Sequence, residues 1–272
     1  MQAEFKHMLR RLRWQIIGWS LGVVLYDLLL AFFYPSMVDM GDAIIDYIKA
    51  FPQGMVAFFE NIYAIATPMG YLDVYFFSYM HLIIGILAIG TGAGLLAGDE
   101  ERGTLDLVMA QPVSRSGLFW GRWTALLAAL VIILAAGWLS WALPSRSIGM
   151  DLTWRQLLLP FLPLLAVLML FASLALLLSM ILPAARIAGM ATGALLVGNY
   201  LLAGLANLNE KLQPVMKYTP LHYYQGGTAV EGLELCWLLG LLAAALLAAA
   251  AAWLLFLRRD IRVGGERSWK LT

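Results

Sequence analysis

The chain has 272 residues, of which 62% are hydrophobic and 13% charged, with a mean hydropathy of +0.79. Soluble domains carry about 45–50% apolar and about 25% charged residues, so this is an integral membrane protein with little room for a separate soluble domain. A net charge of +1 gives no electrostatic basis for binding nucleic acid, and a single cysteine, Cys236, cannot form an intrachain disulfide.

Residues 2–13 place Phe5, Met8, Leu9 and Leu12 on one helical face and Lys6, Arg10, Arg11 and Arg13 around the other. That pattern suits a basic amphipathic helix lying in the membrane interface, or simply the basic flank of a first span. The apolar run that follows has no small-residue cleavage signal, so it reads as a retained helix. About 20 apolar residues cross the hydrocarbon core. Six runs qualify, roughly 14–34, 74–97, 118–143, 157–182, 187–207 and 233–257. With the N-terminus inside, 13 of the 18 Lys and Arg residues fall on the inner side. The positive-inside bias therefore predicts a multi-pass protein of the cell (inner) membrane with both termini cytoplasmic.

The first outer loop, 35–73, is acidic but not hydrophilic. Residues 37–51 set Val38, Ile44, Ile45, Ile48 and Phe51 against Asp39, Asp42 and Asp46, and residues 55–66 are apolar but too short to span. Two helices in the outer leaflet or a packed cap both fit. Gly90, Gly94 and Gly98, and then Gly189 and Gly193, recur at every fourth position and mark helix-packing faces. Pro160 and Pro163 predict a kink near the start of the fourth run. The last outer loop, 208–232, with two prolines, a Gly-Gly pair and a Tyr–His–Tyr–Tyr cluster around Pro220–Tyr224, predicts short broken helices.

Catalytic motifs are missing. There is no G-x-x-x-x-G-K-[ST], no H-E-x-x-H, no Cys/His cluster and no G-x-S-x-G, so nucleotide, metal and acyl-transfer chemistry have no sequence support. His7, His81 and His222 are scattered. Asp27, a carboxylate inside the first run, costs roughly 2.5–3.5 kcal/mol on insertion scales. It is either a contact on a translocation path for a cation or a carboxyl hydrogen-bonded to a neighbouring helix. Asn199 in the fifth run poses the same choice.

The longest polar interruption is Gly98–Trp123, GDEERGTLDLVMAQPVSRSGLFWGRW. Asp99–Arg102 end an apolar helix, Gly103 breaks the pattern, and Thr104 is predicted to cap a short helix at Leu105–Ala110, with Asp106 in its first turn. Pro112 stops that helix. Ser114 is predicted to cap the next one, which carries Arg115 and Arg122. Leu105, Leu107, Val108 and Met109 offer an apolar surface suited to being gripped by a protein partner.

This stretch resembles the signature segment of ABC-2-type transporter permeases. Glu100, Glu101, Gly103, Thr104, Leu105 and Asp106 match its acidic E-x-G-T-L segment, Pro112, Val113, Ser114 and Arg115 its proline–arginine segment, and Arg122 the cation opening the third span. The resemblance implies an all-α membrane protein forming a single permease domain, 1–272. It comprises an interfacial helix at 1–13, six transmembrane helices and a short coupling helix within 98–117. It further implies that the coupling helix seats in a cytoplasmic ABC ATPase, where ATP and Mg bind, leaving no cofactor on this chain. A second permease, identical or related, is expected to pack through the first and fifth spans, which suits Gly189 and Gly193. Such complexes export drugs, antibiotics, lipids or sodium. The apolar spans favour a hydrophobic or amphiphilic compound, cation extrusion remains an alternative, and a stand-alone ion-coupled transporter would need more buried ionisable groups than Asp27 supplies.

Overall fold

The computed structural model describes residues 1–56, 62–111 and 113–258. Among these residues there is no strand. Six helices are long and apolar enough to cross a bilayer: Gln2–Asp39, Pro68–Gly94, Arg115–Ala142, Trp154–Ile181, Ala185–Leu208 and Leu235–Arg258, the first to sixth spans. Each grows out of one of the six apolar runs. The end of the bundle that carries Gly98–Trp123 is called basal here, and the opposite end distal.

The first span is one helix of 38 residues, about 57 Å long at 1.5 Å per residue. That is well beyond the roughly 30 Å of a hydrocarbon core. No glycine or proline interrupts residues 2–17, so the basic amphipathic segment runs into the span without a break. At the other end the helix continues through Pro35 to Asp39. The second span likewise starts earlier than the apolar run suggests. Thr67 caps it by accepting the Gly70 N–H at 3.1 Å, and a π-helical turn at Asp73–Phe77 joins its first turns to the long Ser78–Gly94 helix. In the fourth span the predicted break is present: Trp154–Leu158, held by a Thr153/Gln156 capping box, gives way at Pro160 to Phe161–Ile181.

The first span packs on the third, the second and sixth pack on the fourth, and the fifth rests on the second and fourth. The second, third and fourth spans therefore form the interior, where Ile84, Ala88, Leu118, Leu130, Leu164 and Val167 are fully buried. Gly92 permits the closest crossing, since a Cβ there would run into the Ala172 carbonyl of the fourth span. It lies off the Gly90/Gly94/Gly98 repeat, whose first two members have nothing within 4 Å. The first, fifth and sixth spans turn large apolar side chains outward, among them Phe32, Leu201 and Leu247, as a lipid-facing surface requires.

The distal end is a packed cap. Helix Gly41–Lys49 seats Ile48 against Ile65 and Val74, while residues 57–61 of the predicted apolar segment lie outside the described residues. Before the sixth span the chain forms the short helices Glu210–Leu212, Gln213–Met216, Pro220–Tyr223 and Gly226–Val230, as the proline and glycine content predicts.

Candidate functional site

At the basal end the chain leaves the second span through the buried pair Leu95 and Leu96, then forms two short helices, Ala97–Glu101 and Leu105–Met109. Gly103 joins them at φ +66, a left-handed conformation that glycine adopts without steric cost. The Gly103 N–H donates to Glu100 O at 3.0 Å and the Thr104 N–H to Asp99 O at 2.9 Å, the paired closure of a Schellman motif. The Thr104 hydroxyl joins this closure by donating to Asp99 O at 3.2 Å. Thr104 therefore does not cap the second helix through its side chain, contrary to the sequence reading. Its oxygen is committed to ending the preceding helix. Ser114 does behave as predicted, accepting the Gly117 N–H at 3.0 Å. Pro112 lies outside the described residues.

Helix Leu105–Met109 has two sides. Leu105 is 2% exposed and belongs to the core, so it is not part of the apolar surface expected for a partner. Leu107 is 69% exposed and Val108 and Met109 are partly buried. Leu105 roots the helix and Leu107 is presented.

Around this helix converge bonds from distant parts of the chain. Asp99, 5% exposed, accepts from Arg11 of the first span at 2.9 and 3.1 Å, from Arg102 at 2.6 Å and from Arg122 of the third span at 2.6 Å. Arg122, 1% exposed, also donates to Leu95 O at 2.8 Å and lies 3.6 Å from Glu4. Gly121 makes this approach possible, because a Cβ there would stand 2.9 Å from the Glu4 Cβ and 2.8 Å from Met1 O. Glu101 accepts the Ala185 N–H at 2.6 Å, placing a carboxylate at the N-terminus of the fifth span, where the helix dipole favours it. Arg115 donates to Phe256 O at 3.3 Å and Leu257 O at 3.2 Å at the end of the sixth span, where the dipole favours a cation. Trp253 adds a bond to Ser116 Oγ at 3.1 Å. Glu100 and Asp106 are the remaining acidic residues of the segment.

Burial works against ionisation of Asp99. The guanidinium groups of Arg122 and Arg11, with hydrogen bonds from Arg102 and Arg11, outweigh it and hold the carboxyl below its usual range. A charge cluster this deep is costly to disturb, because removing Asp99 leaves the buried Arg122 with only the 3.6 Å contact to Glu4. Sequence reasoning missed the Arg11–Asp99–Arg122 pairing. The signal was there: an arginine inside an apolar helix needs a carboxylate partner, and Arg122 sits eight residues into the third span.

The other sequence candidates lie apart. Asp27 is fully buried between the first and third spans and accepts from Ser140 Oγ at 2.6 Å. It lines none of the described pockets. Asn199 donates to Leu195 O of its own helix at 2.7 Å and is likewise off the pockets. Gly189 and Gly193 line an apolar groove of about 580 Å³ between the second and fifth spans. Ala93 Cβ is 3.7 Å from the Cβ position of Gly189, and nothing lies within 4 Å of that of Gly193. A second groove of about 580 Å³ runs between the first and second spans past Gly18 and Gly22, and Ile83 borders both. The two grooves thus form one concave apolar face.

A family model for ABC-2 family transporter proteins matches residues 2–261. No curated protein matches the chain.

Proposed function

The chain belongs to the ABC-2 family of transporter proteins, the membrane permease components of ABC transporters, and from that premise we propose that it is one half of an ATP-driven exporter. In this reading both termini and the basal end face the cytoplasm. Helix Leu105–Met109 docks in a separate ATPase that binds ATP and Mg. A second permease copy, identical or related, covers the concave face of the first, second and fifth spans. The chain supplies no nucleotide site and hydrolyses nothing itself.

The observation that carries the reading is the set of bonds around the docking helix. It continues from the second span. Asp99 and Glu101, on the helix that leads into it, link it to the first, third and fifth spans, and Arg115 ties the third span that follows it to the sixth. A push on an exposed five-residue helix would otherwise be absorbed by loop motion. Anchored in this way, it moves the spans. The apolar lining of the grooves supports a hydrophobic or amphiphilic substrate entering sideways from the bilayer, and extrusion of a cation by the same complex is the second reading, to which Asp27 contributes little from its buried position.

The test is co-purification of the tagged chain with its ATPase from mild detergent, followed by an ATPase assay. Leu107→Asp should abolish the association and the activity that comes with it, while leaving the melting temperature of the permease unchanged. Undiminished association in that variant would contradict the docking role.

A further inference from the structure

Two polar cavities at the distal end are lined by none of the residues of the coupling path. The inner one, about 60 Å³, lies between the second and fifth spans beneath the loop that precedes the sixth, and Asp73, His81, Tyr200, Asn207 and Tyr224 line it. The outer one, about 340 Å³, shares Asn207 and Tyr224 with it and adds His222, Glu234 and Trp237.

His81 is the feature that asks for an occupant. It is 3% exposed, and its Nδ1 faces Phe77 O at 3.4 Å. A carbonyl only accepts, so in the uncharged ring Nδ1 carries the hydrogen and Nε2 presents a lone pair. That Nε2 is buried without a hydrogen-bond partner. The rings of Tyr200 and Tyr224 stand 5.7 and 5.2 Å from the imidazole and close the same cavity. A buried acceptor without a donor is costly, and a ligand N–H relieves it.

The charge of the lining selects the ligand. Asp73 and Glu234 are carboxylates, and neither cavity is lined by a lysine or arginine. Tyr224, His222 and Trp237 add aromatic rings, which attract cations through their faces. The outer volume lies in the range of small-molecule pockets. We propose that the two cavities together bind an organic ammonium ion, its N–H groups reaching His81 Nε2 and Asp73 and its alkyl portion lying against Trp237, with Glu234 at the mouth. As a substrate class for export this rests on the function proposed above; as a binding site on this chain it does not.

The experiment is isothermal titration calorimetry of the full chain in lipid nanodiscs with n-hexylammonium, hexyltrimethylammonium, hexanol and hexanoate. Hexylammonium should bind saturably, about tenfold more tightly than the trimethyl compound that lacks N–H donors, and more tightly than hexanol or hexanoate. Glu234→Gln, at an exposed position, should weaken it about fivefold. His81→Phe should erase the preference for the primary over the trimethyl ion. Binding of hexanol or hexanoate as tight as that of hexylammonium, no saturable binding at all, or unchanged affinity in both variants would overturn the site. None of these results touches co-purification with the ATPase, so the two proposals fail separately.

Discussion

The basal and distal ends of the bundle are held by different chemistry. Basal cohesion centres on charged side chains that reach far along the chain: Asp99 pairs with Arg11 and Arg122, Glu101 accepts from the backbone of the fifth span and Arg115 donates to the backbone of the sixth. Distal cohesion is aromatic and uses backbone groups. Tyr71 donates to Leu30 O at 2.8 Å, Tyr224 to Phe77 O at 2.9 Å, and Asp73 accepts the Gly227 N–H at 2.7 Å. Rings of Tyr34, Tyr71, Phe76, Trp141 and Phe161 meet edge-on or tilted between the first four spans. An aromatic cap leaves no unpaired charge when its contacts shift. A buried charge cluster has one satisfied arrangement and transmits displacement, as the docking role proposed for this end requires.

The strongest way to break this contrast is to neutralise one carboxylate at each end. Asp99→Asn leaves the buried Arg122 with only the longer pairing to Glu4, at 3.6 Å, and should destabilise the chain by about 2–3 kcal/mol. Asp73→Asn keeps an oxygen able to accept the Gly227 N–H and should cost no more than about 1 kcal/mol. Thermal unfolding of the two variants in the same detergent decides it, and equal losses would show that charge is not what distinguishes the ends.

A glycine pair sharpens it next. Gly121→Ala forces the first span away from the third where Glu4 meets Arg122, and overpacking of that kind costs about 1–3 kcal/mol. Gly193→Ala fills open groove and should leave unfolding of the single chain unaltered while weakening self-association, read by light scattering in detergent.

Acid should separate the ends more gently. A carboxyl whose native pKa is lowered contributes stability that is fully present above its unfolded value, 3.8 for Asp99, and is lost as pH falls through the lowered native value. Titration below about pH 4 should therefore loosen the basal end first. Hydrogen exchange in residues 97–109 would report it, and Asp99→Asn should remove the transition. The smallest effect is expected from Asp27→Asn. An amide oxygen still accepts from Ser140, so stability should change by less than about 1 kcal/mol and export should persist. Loss of export with an intact fold would place Asp27 on the path after all.

The six spans were legible because bilayer length imposes a run of apolar residues that no soluble element needs. Ser114 and the Pro160 break were legible because capping and ring sterics are local. Other features depend on partners far along the chain. Nothing near Leu105 distinguishes it from Leu107, yet one is core and the other surface, since the orientation of a five-residue helix is set by what it rests on. The glycine repeat at Gly90 and Gly94 marked a face without saying whether the chain itself fills it, and the tight crossing went to Gly92. Thr104 could cap the helix it opens or close the one before it, and the Schellman closure took its hydroxyl.

The central claim is that the basal segment moves as one body with the spans. Spin labels on Asp106→Cys and Arg186→Cys, in a Cys236→Ser background, measure it by electron–electron double resonance in the assembled complex, with the labelled chain diluted in unlabelled chain so that each complex carries one labelled copy. The account predicts one narrow distance distribution, unchanged when ATP is added, that broadens in Glu101→Ala. A distance that shifts with ATP in the chain that retains Glu101 would mean the docking helix moves alone, and the account would be wrong.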